Sequence, residues 1–324
     1  MNNEIKQLSD LESAIIKTMA FFDIFDYPLT LLEAYKWLFS IPNNKIKINL
    51  SEVLEQLEEL KNKKIIETQN GFYFFPGRKN LIDIRRGRYL LAENKFKIAL
   101  RAAKILRVTP FVKMIGICNN AAYANANRES DIDFFIIVRQ NRLWLTRLFI
   151  TFWLSIFGLR RRRQLITNRI CLSFYLTDDQ LNLEKIAIQP KDPYLIYWLA
   201  TLAPIYRPEF YFQFLEANFW LKNYLANFYP VILNQRRFTE DNILTKIFKT
   251  ASEKIFSGFF GLIFEKLSRF IQRLKMKANK KSLANFPDTR VIISDAMLKF
   301  HETDRRQDYF QVWQEKLISL GIND

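Results

Sequence analysis

The chain has 324 residues, enough for two or three domains with full cores. Hydrophobic residues make up 49 %, with 30 Phe against only 8 Gly, which excludes a disordered or low-complexity chain and favours a helix-rich globular one. A net charge of +16 draws polyanions, while one His and two Cys exclude His-cluster zinc sites and a disulfide framework.

Leu11, Ala14, Ile15, Met19 and Phe22 recur at helical spacing and predict a helix over 11–25. Asp26-Tyr27-Pro28 ends it, and Thr30 is placed to cap a second helix running to Phe39. Asn49 with Glu52 makes a capping-box start for a third helix, 50–61. Ile65-Ile66-Glu67, the turn Gln69-Asn70-Gly71 and Phe72-Tyr73-Phe74-Phe75 read as a hairpin, because Asn-Gly accepts the positive φ angles of a tight turn. Helices followed by such a hairpin resemble a winged helix-turn-helix domain, here spanning 1–88. The third helix would enter a DNA groove, yet it carries Glu52, Glu55, Glu58 and Glu59, and acids repel phosphates. A protein-packing or acceptor-positioning role is therefore expected ahead of DNA binding.

A basic helix over 85–107 leads to an apolar strand, Phe111-Val112-Lys113-Met114-Ile115. Next come Asn119-Asn120, ten further residues, and Asp131-Ile132-Asp133 running into Phe134-Phe135-Ile136-Ile137-Val138. Side chains alternate along a strand, so Asp131 and Asp133 share one face. Adjacent carboxylates repel and are stabilised by a cation between them. Mg2+ suits such oxygen donors, completing its shell with substrate phosphates. A helix over 141–158 and a buried strand over 170–176 follow. The charge excess is +1 over 1–88, +9 over 89–190 and +6 over 191–324, so it surrounds this segment.

The stretch from Cys118 to Asp133 resembles the signature of the DNA polymerase β-like nucleotidyltransferase superfamily, in which a Gly-Ser turn precedes an Asp-x-Asp strand. Asn125-Ala126-Asn127-Arg128-Glu129-Ser130-Asp131-Ile132-Asp133 is most similar to its small-molecule and orphan branches. Asn119-Asn120 stands in place of Gly-Ser, and Asn tolerates a left-handed backbone better than most residues. The resemblance implies an α/β (α+β) fold with a mixed-sheet nucleotidyltransferase core at 89–190. It implies Asp131 and Asp133 as catalytic residues and Mg2+ ligands, with Asn119, Asn120 and Ser130 binding a nucleoside triphosphate. The implied reaction moves a nucleoside monophosphate to an acceptor hydroxyl and releases pyrophosphate; a small molecule, a protein and an RNA end are all open as acceptor. The family's third carboxylate has no counterpart inside 170–176, where Ser173 stands near its place, so Asp178, Asp179 or neither completes the set. The substituted turn and the lack of an acid inside 170–176 motivate an alternative, a catalytically weakened nucleotide-binding regulator acting through the winged helix.

Apolar spacing predicts helices over 192–202, 209–228, 242–278 and 294–320, making 191–324 a helical C-terminal domain with a basic connector at 275–282. The uncharged runs 148–159 and 194–206 are too short for the roughly 20 residues of a bilayer-spanning helix, so buried helices are expected and a membrane role is not. Arg160-Arg161-Arg162-Arg163 reads first as a solvated cap at the end of a helix, then as a contact for an acidic substrate. His301, the single histidine, is expected at the surface. Met1 to Lys6 shows no signal-peptide order, so a reducing cytoplasm is the expected compartment.

Overall fold

The computed structural model describes residues 8–39, 48–277, 289–300 and 303–322. Helix α1 (Asp10–Asp23) starts on a capping box in which the Ser9 hydroxyl accepts from the Glu12 N–H and Glu12 accepts from the Ser9 N–H. The short strand β1 (Leu29–Thr30) runs into α2 (Leu31–Lys36), capped by Thr30 and Glu33. Helix α3 (Leu50–Asn62) starts on the expected Asn49–Glu52 box. Strands β2 (Glu67–Gln69) and β3 (Phe72–Phe74) meet at Asn70-Gly71, whose φ angles of 54° and 78° are those a tight hairpin needs. β1 completes a small antiparallel sheet in the order β1-β3-β2.

Helix α4 (Leu81–Leu106) leads into the main sheet. Its first strands are β4 (Val112–Ile117) and β5 (Ile132–Val138), which pair antiparallel. Helix α5 (Leu143–Ile156) then crosses over to β6 (Ile170–Thr177), parallel to β5, as a parallel pair requires. Helix α6 (Pro193–Thr201), strand β7 (Ala203–Tyr206) and α7 (Glu209–Ala217) follow. The last elements are α8 (Ile243–Ser257), α9 (Phe259–Lys277), β8 (Val291–Ile293), β9 (Met297–Phe300) and α10 (Arg306–Ser319). The six strands lie in the order β7-β4-β5-β6-β9-β8, so the fold is mixed α/β with one mixed sheet and one small antiparallel sheet.

The region beyond 190 departs from the mostly helical expectation, because it supplies three strands to the main sheet. The stretch 294–320 is a hairpin strand followed by α10, the turn closed by the Ser294 hydroxyl accepting from the Met297 N–H at 2.9 Å. Pro204 sits in β7 at the sheet edge, where its missing N–H costs no ladder bond. The 209–228 helix stops at Ala217, where Asn218 turns its amide to the Phe214 and Leu181 carbonyls. Gly258 divides 242–278 into α8 and α9.

Strand alternation sends Ile115, Phe134 and Ile136 to one side of the sheet, against α4 and α5. Met114, Phe135 and Ile137 face the other side, in a core shared with α6, α10 and the N-terminal helices. Two bonds pin those helices to the later ones: Trp313 Nε1 to the Lys17 carbonyl at 2.9 Å, and Tyr197 OH to the Trp37 carbonyl at 3.1 Å. Among the described residues no helix is long and apolar enough to cross a membrane.

Candidate functional site

The parallel register places Asp133 opposite Cys171, near the start of their strands. One donor atom from each of Asp131, Asp133 and Cys171 lies within 4.8 Å of the others. Donors about 2.0–2.3 Å from a common ion span about that distance. Asn119 opens a 3-10 turn (Asn119–Ala121) in the left-handed region, φ 58°, which Asn tolerates better than most residues. Its Nδ2 donates to Asp133 Oδ2 at 2.8 Å, and its Oδ1 accepts from Tyr194 OH at 3.1 Å. The Cys118 N–H, donating to the Asp133 carbonyl at 3.1 Å, anchors the turn on β5.

Burial, followed by the charge of Asp131, pushes the Asp133 carboxyl up to about 6. Burial and then Asp133 push the Cys171 thiol up to about 12, so it carries a proton in the free protein. Arg161 stands beside them: its Nη1 lies 2.7 Å from Asp131 Oδ2 and 3.5 Å from Cys171 Sγ. This arginine, expected to be a solvated helix cap, instead neutralises the outer carboxylate.

Asn119, Asp133, Arg161 and Cys171 line a cleft of about 360 Å3, within the range of small-molecule sites, and Asp131 adjoins it through Arg161. Tyr194 and Tyr309 form one wall, their rings stacked at 5.5 Å and 15°. Arg305 and Arg306 line it too, but Arg306 is committed to Asp192 at 2.8 Å and Asp304 at 2.9 Å. Burial pushes the Asp304 carboxyl up, yet the Arg306 and Lys299 bonds outweigh it and hold it down at about 2. Ser173 also lines the cleft; it is 5 % exposed, and its hydroxyl has no hydrogen-bond partner among the described residues.

The other expected residues fall elsewhere. Asn120 accepts from Tyr123 OH at 2.7 Å and faces a cavity of about 20 Å3 beside Phe22 and Tyr197, room for about one water. Ser130 shapes the approach to Asp131: its hydroxyl donates to the Asn127 carbonyl, and its own carbonyl accepts from the buried Lys95 Nζ at 2.5 Å. Asp178 lies at the far end of β6, about 23 Å along the strand from Cys171, and pairs with Lys113 at 3.5 Å. Asp178 therefore lies too far from Asp131 and Asp133 to share an ion with them, and the third donor atom near the two carboxylates belongs to Cys171. His301 and 278–282 of the basic connector lie outside the described residues.

The N-terminal module touches the site loop directly. The Phe25 carbonyl accepts from Arg88 Nη1 at 2.7 Å and from Asn125 Nδ2 at 2.9 Å, and the Phe25 ring meets Tyr309 edge-on at 4.9 Å. Cys171, Tyr194, Tyr309 and Lys95 escaped the sequence reading, whereas Arg161 belongs to the arginine run whose second reading is a contact for an acidic substrate. Among the missed residues Cys171 left a signal, being second in its strand as Asp133 is in its own. No protein-family model, curated protein or solved structure matches this chain.

Proposed function

We propose that the chain is a divalent-metal-dependent nucleotidyltransferase that moves a nucleoside monophosphate from a nucleoside triphosphate to an acceptor hydroxyl. One observation carries the reading: Asp131 and Asp133 converge with an in-register Cys171 at the mouth of a ligand-sized cleft, braced by the Asn119 turn. The order strand, turn, Asp-x-Asp strand, helix, strand from β4 to β6 supports it as well.

The donor set fits a divalent cation: the Asp131 and Asp133 carboxylates and the Cys171 thiol converge, and the unpartnered Ser173 hydroxyl lines the same cleft as Asp133 and Cys171. When bound, Mg2+ supplies positive charge against the triphosphate oxygens. Asp131 and Asp133 would hold it, with Asn119 fixing the rotamer of Asp133. Arg305 and Arg161 bring cationic charge to the cleft, which attracts a triphosphate. The Tyr194–Tyr309 wall offers a ring face for the base. The acceptor oxygen bonds to the α-phosphorus, the bond to the bridging oxygen breaks, pyrophosphate leaves and the hydroxyl proton passes to solvent.

The helix, strand, helix, helix, hairpin order of residues 10–74 supports the winged-helix reading of the N-terminal module. Glu52, Glu55 and Glu59 are exposed on α3, and the module is tied to the site loop, which favours a positioning handle over a DNA reader.

The Arg161–Asp131 ion pair favours a second reading, a nucleotide-binding regulator whose own cation occupies the metal's place. Label transfer from α-labelled nucleoside triphosphates with Mg2+, wild type beside an Asp131→Ala/Asp133→Ala double variant, tests both. Transfer by wild type alone supports the enzyme; transfer by both sinks the assignment. Nucleotide binding without pyrophosphate release moves the chain to the regulatory reading.

A further inference from the structure

Helices α8 and α9 are built inside out. Their buried side chains are polar: Lys249, Ser268 and Gln272, donating from Lys249 Nζ to the Val112 carbonyl at 2.8 Å and from Gln272 Nε2 to the Trp144 carbonyl at 2.7 Å, while Phe256 and Met276 are half-buried. Both acids of the pair also turn inward. Glu253 accepts from the Phe111 N–H at 2.8 Å, and Glu265 accepts from the first N–H groups of α5, Trp144 at 2.9 Å and Leu145 at 2.8 Å. A surface helix of a globular domain ordinarily does the reverse, hiding its apolar stripe and showing its polar one.

The outward face is apolar to a degree that scattered surface residues do not explain. Fourteen large apolar side chains between Ile243 and Leu274 are exposed, Ile243, Phe259 and Phe260 by 70–77 %. At about 180 Å2 per side chain this amounts to roughly 1,500 Å2, against roughly 300–600 Å2 for the largest patch of an ordinary monomer. Helix α5, packed on α9, adds exposed Leu148, Phe152 and Ile156 at fourth-residue spacing. Eight basic residues stand against the two inward acids between 243 and 277, a net +6. Lys266, Arg269 and Arg273 flank Phe270 and Leu274 around a shallow groove.

We infer that this face docks on an anionic lipid bilayer, the helices lying in the interface plane with the aromatic and aliphatic residues in the acyl boundary and the basic residues at the headgroups. The charge selects the occupant. A second copy would bring the same +6 against itself, and a nucleic acid would match the charge but leave the Phe and Ile residues in water. A negatively charged bilayer matches both, and basic amphipathic helices bind such surfaces by apolar burial plus headgroup attraction. The inference is independent of the nucleotidyl-transfer reading and centres the membrane contact on α8–α9, with Leu148, Phe152 and Ile156 of α5 adding to it.

Flotation of the full chain with phosphatidylcholine vesicles, with and without phosphatidylserine, tests it. Wild type should bind at least about ten-fold more when phosphatidylserine is present, and less as salt rises. Phe259→Asp with Phe260→Asp should cut binding to the anionic vesicles at least about ten-fold, and Lys266→Glu with Arg273→Glu should remove the lipid selectivity. All four side chains lie on the outer face, so unchanged far-ultraviolet dichroism and melting are expected; if one pair fails to fold, the other still decides. Vesicle binding indifferent to both pairs overturns the inference. So does a stable dimer by light scattering that ignores vesicles, or RNA binding that survives the Phe substitutions in a chain that ignores vesicles.

Discussion

Asp133→Asn isolates the cost of keeping the site ionised. Burial and Asp131 raise the upper ionisation of the carboxylate pair to about 6, from an ordinary carboxyl value of about 4, which corresponds to about 3 kcal/mol. The folded value lies above the unfolded one. Stability from a neutral Asp133 is therefore full below about pH 4 and lost as pH rises through about 6. Asparagine has the same shape and still offers Asn119 Nδ2 an acceptor, replacing a charge-assisted bond by a neutral one at a cost of about 1 kcal/mol. The net gain at pH 8 is about 2 kcal/mol. With an unfolding entropy of about 2.1 cal/mol/K per residue, the melting temperature should rise by about 3 °C. Melting curves of both proteins in chelator at pH 8 and pH 4.5 check it: the gap should be present at pH 8 and nearly gone at pH 4.5. Divalent cation should then stabilise wild type alone, and more strongly as pH rises through about 6. A variant that melts lower at pH 8, or a gap that ignores pH, would refute this account of the site.

Arg161→Ala removes the cation competing for Asp131, and the half-exposed pair is worth at most about 1 kcal/mol; calorimetric titration should show divalent affinity rising about two- to five-fold while triphosphate affinity falls. Cys171, its thiol pushed up to about 12, should react with iodoacetamide at pH 8 at least about 100-fold more slowly than a free thiol. Cd2+ added to wild type should produce thiolate–metal ultraviolet absorbance that Cys171→Ser abolishes. Lys95→Met strands the Ser130 carbonyl and the Asn168 amide oxygen that Lys95 Nζ now bonds, and should destabilise by about 2–3 kcal/mol in denaturant titration.

Features set by neighbouring residues were legible before any fold was known. The Thr30 cap, the Asn49–Glu52 box, the Asn70-Gly71 turn and the β4-turn-β5-α5-β6 order all rest on contacts within a few residues, and the structure places each as expected. Asp131 and Asp133 come together for the same reason, since alternation along one strand suffices. Features that depend on distant partners were not legible. The 294–320 stretch has helical spacing, yet its first part pairs with β6, more than 100 residues earlier in the chain, because the exposed edge of β6 offers N–H and C=O groups that a helix could not satisfy. Arg161 lies 30 residues from Asp131, and only the α5 crossover brings them to contact. Cys171, rather than Asp178 or Asp179, stands beside Asp133 because parallel register, which no local pattern encodes, decides which residue of β6 meets it. The outward turn of α8 and α9 was hidden for the same reason: periodicity shows that a helix has two faces, and only its packing partners decide which of them is left for something else to cover.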